Sequence, residues 1–156
     1  ITLPVTRGTR EMNLNEIPVK DYIKLSPIFA SENDTLFNAL EIIRKFKIDG
    51  ITIIRDDYSI IGYLDRKKII DLLKFSFNND INELRNKKIK NYIIKYNSSI
   101  ILYPRMSILD AYSIMKYFNL KVLPVADVPW EKRIIGFLWM DDILPIIKEN
   151  YLKIPV

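Results

Sequence analysis

Apolar residues recur along this chain at two spacings that alternate. Leu36, Ala39, Leu40, Ile43 and Phe46 follow the i, i+3, i+4, i+7 pattern of one helix face, and Ile108, Ala111, Tyr112, Met115 and Phe118 draw that face again. Ser31 or Asp34 is placed to cap the first helix and Gly50 to close it, while Ser107 and Asp110 have capping-box spacing for the second. A short apolar, partly β-branched run follows each helix, Ile51 to Ile54 and Val122 to Ala126, and predicts a buried strand. Pro124 within the second run predicts that this strand is short or at an edge. After a polar turn comes another strand, Ile60 to Leu64 or Arg133 to Leu138. A second helical stripe then runs from about Arg66 to Phe75 with Ile69, Ile70, Leu72 and Leu73, or from about Asp141 to Glu149 with Ile143, Leu144, Ile146 and Ile147.

The unit is therefore strand, helix, strand, strand, helix, and it is written twice. Val19-Lys20-Asp21-Tyr22-Ile23 returns as Ile89-Lys90-Asn91-Tyr92-Ile93 after 70 residues, the first helix returns after 72, and Ile60-Ile61-Gly62 returns as Ile134-Ile135-Gly136 after 74. The shift grows only where loops fall. One repeat of roughly 60 residues buries a marginal core by itself. The prediction is an α+β fold in which two tandem β-α-β-β-α repeats pack sheet to sheet as a pseudo-two-fold pair. Residues 1–16 form an extended lead-in, 17–75 the first repeat, 76–88 a connector with room for a short helix, 89–149 the second repeat and 150–156 a tail.

Composition narrows the chemistry. At 156 residues and 49% hydrophobic, the chain can bury a substantial core, and no run of about 18 apolar residues marks a membrane span. A start at Ile1 without signal-peptide features reads as an excised or processed piece of a longer protein, and the lack of cysteine fits a cytoplasmic setting. With no cysteine and no histidine, thiolate nucleophiles, Cys/His zinc sites and serine-histidine catalysis are excluded. Paired carboxylates occur at Asp56-Asp57 and Asp141-Asp142, but adjacent residues do not face one substrate atom. No enzyme activity is expected. The net charge of +5 admits anionic partners, yet it is spread along the chain; its densest run, Arg85 to Lys90, reads as a solvated connector, and no nucleic-acid partner is expected.

The two copies resemble cystathionine-beta-synthase (CBS) domains, and the whole is similar to a tandem CBS pair, or Bateman module. The resemblance rests on the Asn/Asp-Tyr-Ile openings, the helices around Ala39 and Ala111, the strands after Ile48-Asp49-Gly50 and Leu120-Lys121-Val122, and the Gly-led turn into each last helix. It implies a non-catalytic regulatory module that binds adenosine nucleotides between paired domains and often forms a homodimer. The family's ligand motif is Gly, two hydrophobic residues, Thr or Ser, two further residues and Asp. The Asp accepts from the ribose hydroxyls, and the helix N-terminus faces phosphate.

Gly136-Phe137-Leu138-Trp139-Met140-Asp141-Asp142 keeps the Gly and the final Asp but has Trp139 at the hydroxyl position. Gly62-Tyr63-Leu64-Asp65-Arg66-Lys67-Lys68 keeps only the Gly, and the Lys68 ammonium cannot accept from a ribose hydroxyl. The resemblance thus implies one ribose-competent site and one degenerate site. In the first, Asp142, Trp139 and Met140 would face Ser26, Pro27 and Ile28 together with Ile48, Asp49, Gly50 and Ile51. In the second, Asp65 and Lys68 would face Leu102, Tyr103, Leu120, Leu123 and Pro124. Alternatives stay open at each residue: Asp142 also suits a helix start without a ligand, Trp139 can stack on a base or simply pack, and Asp49 would repel phosphate if it points inward.

The expected ligand is ATP, ADP or AMP, with no resident cofactor, no separate metal site and Mg²⁺ entering only on nucleotide phosphates. The stretch Thr6 to Ile23 resembles the junction between membrane domain and CBS pair in prokaryotic chloride channel and transporter proteins. That implies a cytosolic domain continuous with a membrane transport domain. The competing expectation is a dimerisation or interaction module whose pockets are vestigial.

Overall fold

The structure, a computed structural model, describes residues 13–75, 86–92 and 100–153; of residues 75 and 151–153 it describes the backbone alone. The lead-in before residue 13, connector residues 76–85, Ile93 of the second opening and the tail beyond residue 153 lie outside the described residues.

The first repeat contains β1 (Phe29–Ser31), α1 (Leu36–Phe46), β2 (Gly50–Ile54), β3 (Ile60–Asp65) and α2 (Arg66–Phe75). β2 lies centrally, parallel to β1 and antiparallel to β3. The second repeat contains α3 (Ile108–Phe118), β4 (Val122–Ala126), β5 (Ile134–Trp139) and α4 (Met140–Lys153), with β4 and β5 antiparallel. The expected α+β architecture is thus present.

Among the described residues β1 has no full counterpart in the second repeat. The counterpart of β1 is reduced to a single parallel bridge between Leu102 and Val125. In the first repeat the Glu32 N–H donates to the Ile54 carbonyl at 2.9 Å. The residue 72 positions later is Pro104, which has no N–H, and Pro124 likewise stands where the first repeat has Thr52. One rung survives between them: Leu102 donates to the Pro124 carbonyl and Ala126 donates to the Leu102 carbonyl, both at 2.9 Å.

Helix ends correct two expectations. Thr35 caps α1 by accepting from the Asn38 N–H at 3.1 Å, while Ser31 and Asp34 bond locally, the Ser31 N–H donating to Asp34 Oδ2 at 3.0 Å. Thr35 fits because its extended backbone turns the hydroxyl back onto the first turn. Lys47 closes the same helix in the left-handed conformation at φ 54°, and its counterpart Asn119 closes α3 at φ 55°. Gly50 instead begins β2. Ser107 caps α3 as expected, accepting from the Asp110 N–H at 3.1 Å. α4 continues past Glu149 to Lys153 and carries Pro145 within it, which removes the N–H that would reach the Asp141 carbonyl.

The repeats exchange their openings. Val19 and Lys20 donate to the carbonyls of Met106 and Pro104 at 2.7 and 3.0 Å, and Ile108 donates to Ile17 at 2.9 Å. In mirror image, Ile89 and Lys90 donate to Asp34 and Glu32 at 2.8 Å, and Leu36 donates to Lys87 at 2.9 Å. Leu14, Ile17 and Val19 are consequently buried in the core built by α3, β4, β5 and α4, whereas Ile89 is buried in the core of the first repeat. The end of the lead-in is therefore not extended: Leu14–Glu16 is a 3₁₀ turn capped by Asn13, and it holds Leu14 against the second repeat.

The hairpin ends complete the pair. Ile60 donates to the Lys132 carbonyl at 2.8 Å and Ile134 to the Tyr58 carbonyl at 2.9 Å, with Ser59 bridging Arg133 between them. Tyr58 and Lys132 both adopt positive φ, 68° and 55°, which turns each hairpin so that its carbonyl reaches across. A small cluster of Ile54, Ile60, Ile101 and Ala126 fills the space beneath this junction.

Candidate functional site

Asp142 lies in the first turn of α4 with its side chain about a quarter exposed. Its Oδ1 accepts from the Lys24 ammonium at 3.0 Å, and its Oδ2 is buried without a hydrogen-bond partner. Sequence reasoning did not single out Lys24. The residue reaches this place because the segment after the first opening crosses to the second repeat and pairs with β5: Lys24 donates to the Phe137 carbonyl and Phe137 to the Lys24 carbonyl, both at 2.8 Å. Gly136 permits that crossing, since a Cβ there would overlap the Ile23 side chain and stand 3.0 Å from the Lys24 carbonyl oxygen. The Gly at this strand position is the one sequence feature that fits so close a backbone approach.

Alternation along this extended segment decides what faces the site. Two residues after Lys24, the Ser26 hydroxyl accepts from the Trp139 indole N–H at 3.2 Å. Lys24 and Ser26 thus both turn towards the corner where β5 enters α4, while Leu25 between them is 89% exposed. Trp139 packs over the first repeat's core, the cluster that holds Ile28, Ile48 and Ile51. These three isoleucines are themselves buried, so the apolar slot expected for a base is covered by the chain's own residues. Pro27 is exposed and Met140 lies half-buried on the second core, its N–H held by the Lys121 carbonyl at 2.8 Å.

Asp49 and Gly50 sit at the matching corner of the first repeat. The Asp49 carbonyl accepts from the Arg66 N–H at 2.8 Å and Gly50 pairs with Asp65. The phenol of Tyr63 lies over Gly50, so that face of the glycine is occupied. Burial, with the carboxylates of Asp65 and Asp49 nearby, pushes the Tyr63 hydroxyl well above the usual tyrosine range.

The residues expected around the degenerate pocket fall in three settings. Asp65 is exposed and caps α2, accepting from the Lys67 N–H at 2.7 Å; Lys68 is exposed on the same helix. Leu120 and Leu123 belong to the second core with Leu102, and Tyr63 packs against that core. Tyr103 groups instead with Ile54 and Ile60, at the end of β2 opposite to Gly50 and Asp65, about 13 Å away at 3.3 Å per residue. Pro104 directly after it ends the ladder and turns the chain there. Burial, with the charge of Asp127, raises its phenol above the ordinary value.

Next to the Asp142 corner is an apolar cleft of about 350 Å³ lined by Leu25, Ser26, Pro27, Phe29, Tyr58 and Ile134 to Phe137. Its floor is the pair Phe29 and Phe137, stacked at 6.4 Å with rings 9° apart. It shares Ser26 and Pro27 with the expected site. Among the described residues no group of three or more carboxylate, histidine or cysteine side chains is placed to hold a metal, and no helix is long and apolar enough to cross a membrane.

Residues 19–74 match the family model described as CBS domain. An uncharacterized protein of Methanocaldococcus jannaschii, MJ1426, is 26% identical over 152 aligned positions, which cover 81% of this chain and 88% of that protein. Among solved structures, a CBS domain pair/ACT domain protein of Thermotoga maritima is similar with a TM-score of 0.66 at 16% identity, covering 85% of this chain and 98% of that one. CBSX2 in complex with AMP gives 0.63 at 17% identity over 86% of this chain and 98% of that one. The CBS domain pair of protein MJ0100, in complex with 5-methylthioadenosine and S-adenosyl-L-methionine, gives 0.60 at 21% identity over 85% and 97%. Residues 19–74 thus match the CBS domain model, and the chain as a whole has the fold of a CBS domain pair.

Proposed function

We propose that this chain is a regulatory module that binds an adenine nucleotide beside Asp142. The observation that carries the reading is the Asp142 carboxylate, one oxygen on Lys24 and the other buried without a donor. An unsatisfied buried acceptor costs about 1–3 kcal/mol, and a ribose hydroxyl is a donor that would remove that cost. The neighbouring apolar cleft offers a planar base room within the size range of ligand pockets. The fold's occurrence with AMP in CBSX2 and with adenosyl compounds in MJ0100 supports the ligand class. Mg²⁺ would enter on the nucleotide's phosphates.

The role is regulatory rather than catalytic: Asp141 points outward while Asp142 is engaged with Lys24, so the two carboxylates do not converge on one atom. In this reading the chain works as a homodimer on the cytoplasmic side of a chloride channel or transporter with which it is continuous, and ligand binding biases transport by favouring one arrangement of the pair. Isothermal titration with ATP, ADP, AMP and S-adenosylmethionine tests it. Saturable binding that disappears in Asp142→Ala supports the reading; an unchanged titration in that variant rejects Asp142 as the anchor.

A second reading follows from Trp139. Its indole, bonded to Ser26 and laid over the first repeat's core, fills space that the expected slot would need. If none of the four ligands binds, the chain is better described as an interaction or dimerisation module with vestigial pockets. Sedimentation of the wild-type chain then becomes the informative measurement.

A further inference from the structure

Lys24 and Ser26 come from one short extended segment, and both are bonded to the corner that carries Asp142 and Trp139. Their partners lie 118 and 113 residues further along the chain. The backbone of Lys24 is fixed by two bonds to Phe137, so its ammonium is delivered to Asp142 by the fold rather than by chance encounter. Its side chain is 60% exposed, which leaves the ammonium free to swing into solvent once displaced. The carboxylate is held at a modest net gain, because an exposed ammonium in such a pair contributes little.

We infer that Lys24 is an intramolecular competitor for the proposed ligand: its ammonium occupies the Asp142 carboxylate when the site is empty, and the ligand must displace it. This rests on the proposed nucleotide site at Asp142 and concerns its regulation. A ligand whose hydroxyls approach both carboxylate oxygens enters the space held by the Lys24 ammonium, 3.0 Å from Oδ1, and competes with it there.

The test uses adenosine, an uncharged probe whose own affinity has no reason to vary with salt. Raising ionic strength screens the Lys24–Asp142 pair. Adenosine should therefore bind the wild-type chain more tightly at 500 mM than at 50 mM NaCl. Lys24→Met, which keeps the length and removes the charge, should bind about two- to fivefold more tightly than wild type at low salt and lose the salt dependence. Equal or weaker binding by Lys24→Met, with Asp142→Ala still abolishing binding, overturns the competitor role and leaves the nucleotide site standing. No binding of adenosine or AMP by wild type or by Lys24→Met overturns both. Lys24 is bonded to β5 through its backbone, so the variant keeps that pairing; a matching circular dichroism spectrum and cooperative melt confirm that it folds.

Discussion

Tyr63 lies with its phenol directly over Gly50, the residue paired with Asp65 in the β2–β3 ladder, and any side chain at position 50 would overlap the ring. The ring also packs on the core of the second repeat, so it is wedged between the two halves and has limited room to retreat. Gly50→Ala should lower stability by about 1–3 kcal/mol, the usual cost of overpacking. Truncating the ring in Gly50→Ala/Tyr63→Leu should recover part of that loss, giving a non-additive double-mutant cycle. Urea unfolding of the four proteins measures it, and strict additivity would dissociate the two residues.

The same tyrosine predicts an alkaline effect. Its hydroxyl is held protonated in the folded state by burial and by Asp65 and Asp49, whereas an unfolded chain ionises tyrosine near pH 10. Above that pH the unfolded state therefore binds fewer protons, and stability falls as pH rises, by at most about 1.4 kcal/mol per unit for one group. Below pH 10 the group contributes no slope. Tyr63→Phe should make the decline shallower between pH 10 and 12, measured as the difference between the two proteins, since the lysines titrate in both.

Helix capping separates residues that sequence spacing left equivalent. Thr35→Ala removes the bond to the Asn38 N–H and should cost about 1 kcal/mol, as should Ser107→Ala. Ser31→Ala should cost less, because its hydroxyl serves only the exposed turn at Asn33. Thermal melts of the three variants rank them, and a larger loss at Ser31 than at Thr35 would reassign the cap.

How far the sequence was legible follows from which interactions involve side-chain pattern. Ala39 and Ala111, Leu36 and Ile108, Ile43 and Met115 are buried at matching places because helix packing writes itself as periodic apolar residues. The exchange of openings left no such mark: Val19 to Met106 and Ile89 to Asp34 are backbone bonds, indifferent to residue type. The role of Lys24 was hidden for another reason. A lone lysine in a polar stretch reads as solvated, and only the pairing of its backbone with Phe137 brings it to Asp142. Tyr103 lies with Ile54 and Ile60 while Leu120 and Leu123 lie in the second core, a division that residue type and spacing do not mark.

The single bridge that stands for β1 among the described residues of the second repeat makes a last prediction. Glu32 supplies an N–H to the Ile54 carbonyl, and its counterpart Pro104 has none to give to Ala126. Pro104→Glu should add that rung, since the flanking bonds of Leu102 already hold the two segments in parallel register. Two effects compete: a new bond contributes about 0.5–1.5 kcal/mol, while losing proline frees the unfolded chain and costs about 0.4–1 kcal/mol. Net stability should therefore change little. The readout is hydrogen exchange, where the new amide at position 104 should exchange as slowly as that of Glu32. The Pro104 carbonyl already accepts from Lys20 and holds the exchanged opening, so the added rung would have to form without disturbing it. Fast exchange at residue 104 would mean that this contact, rather than the absent N–H, ends the strand.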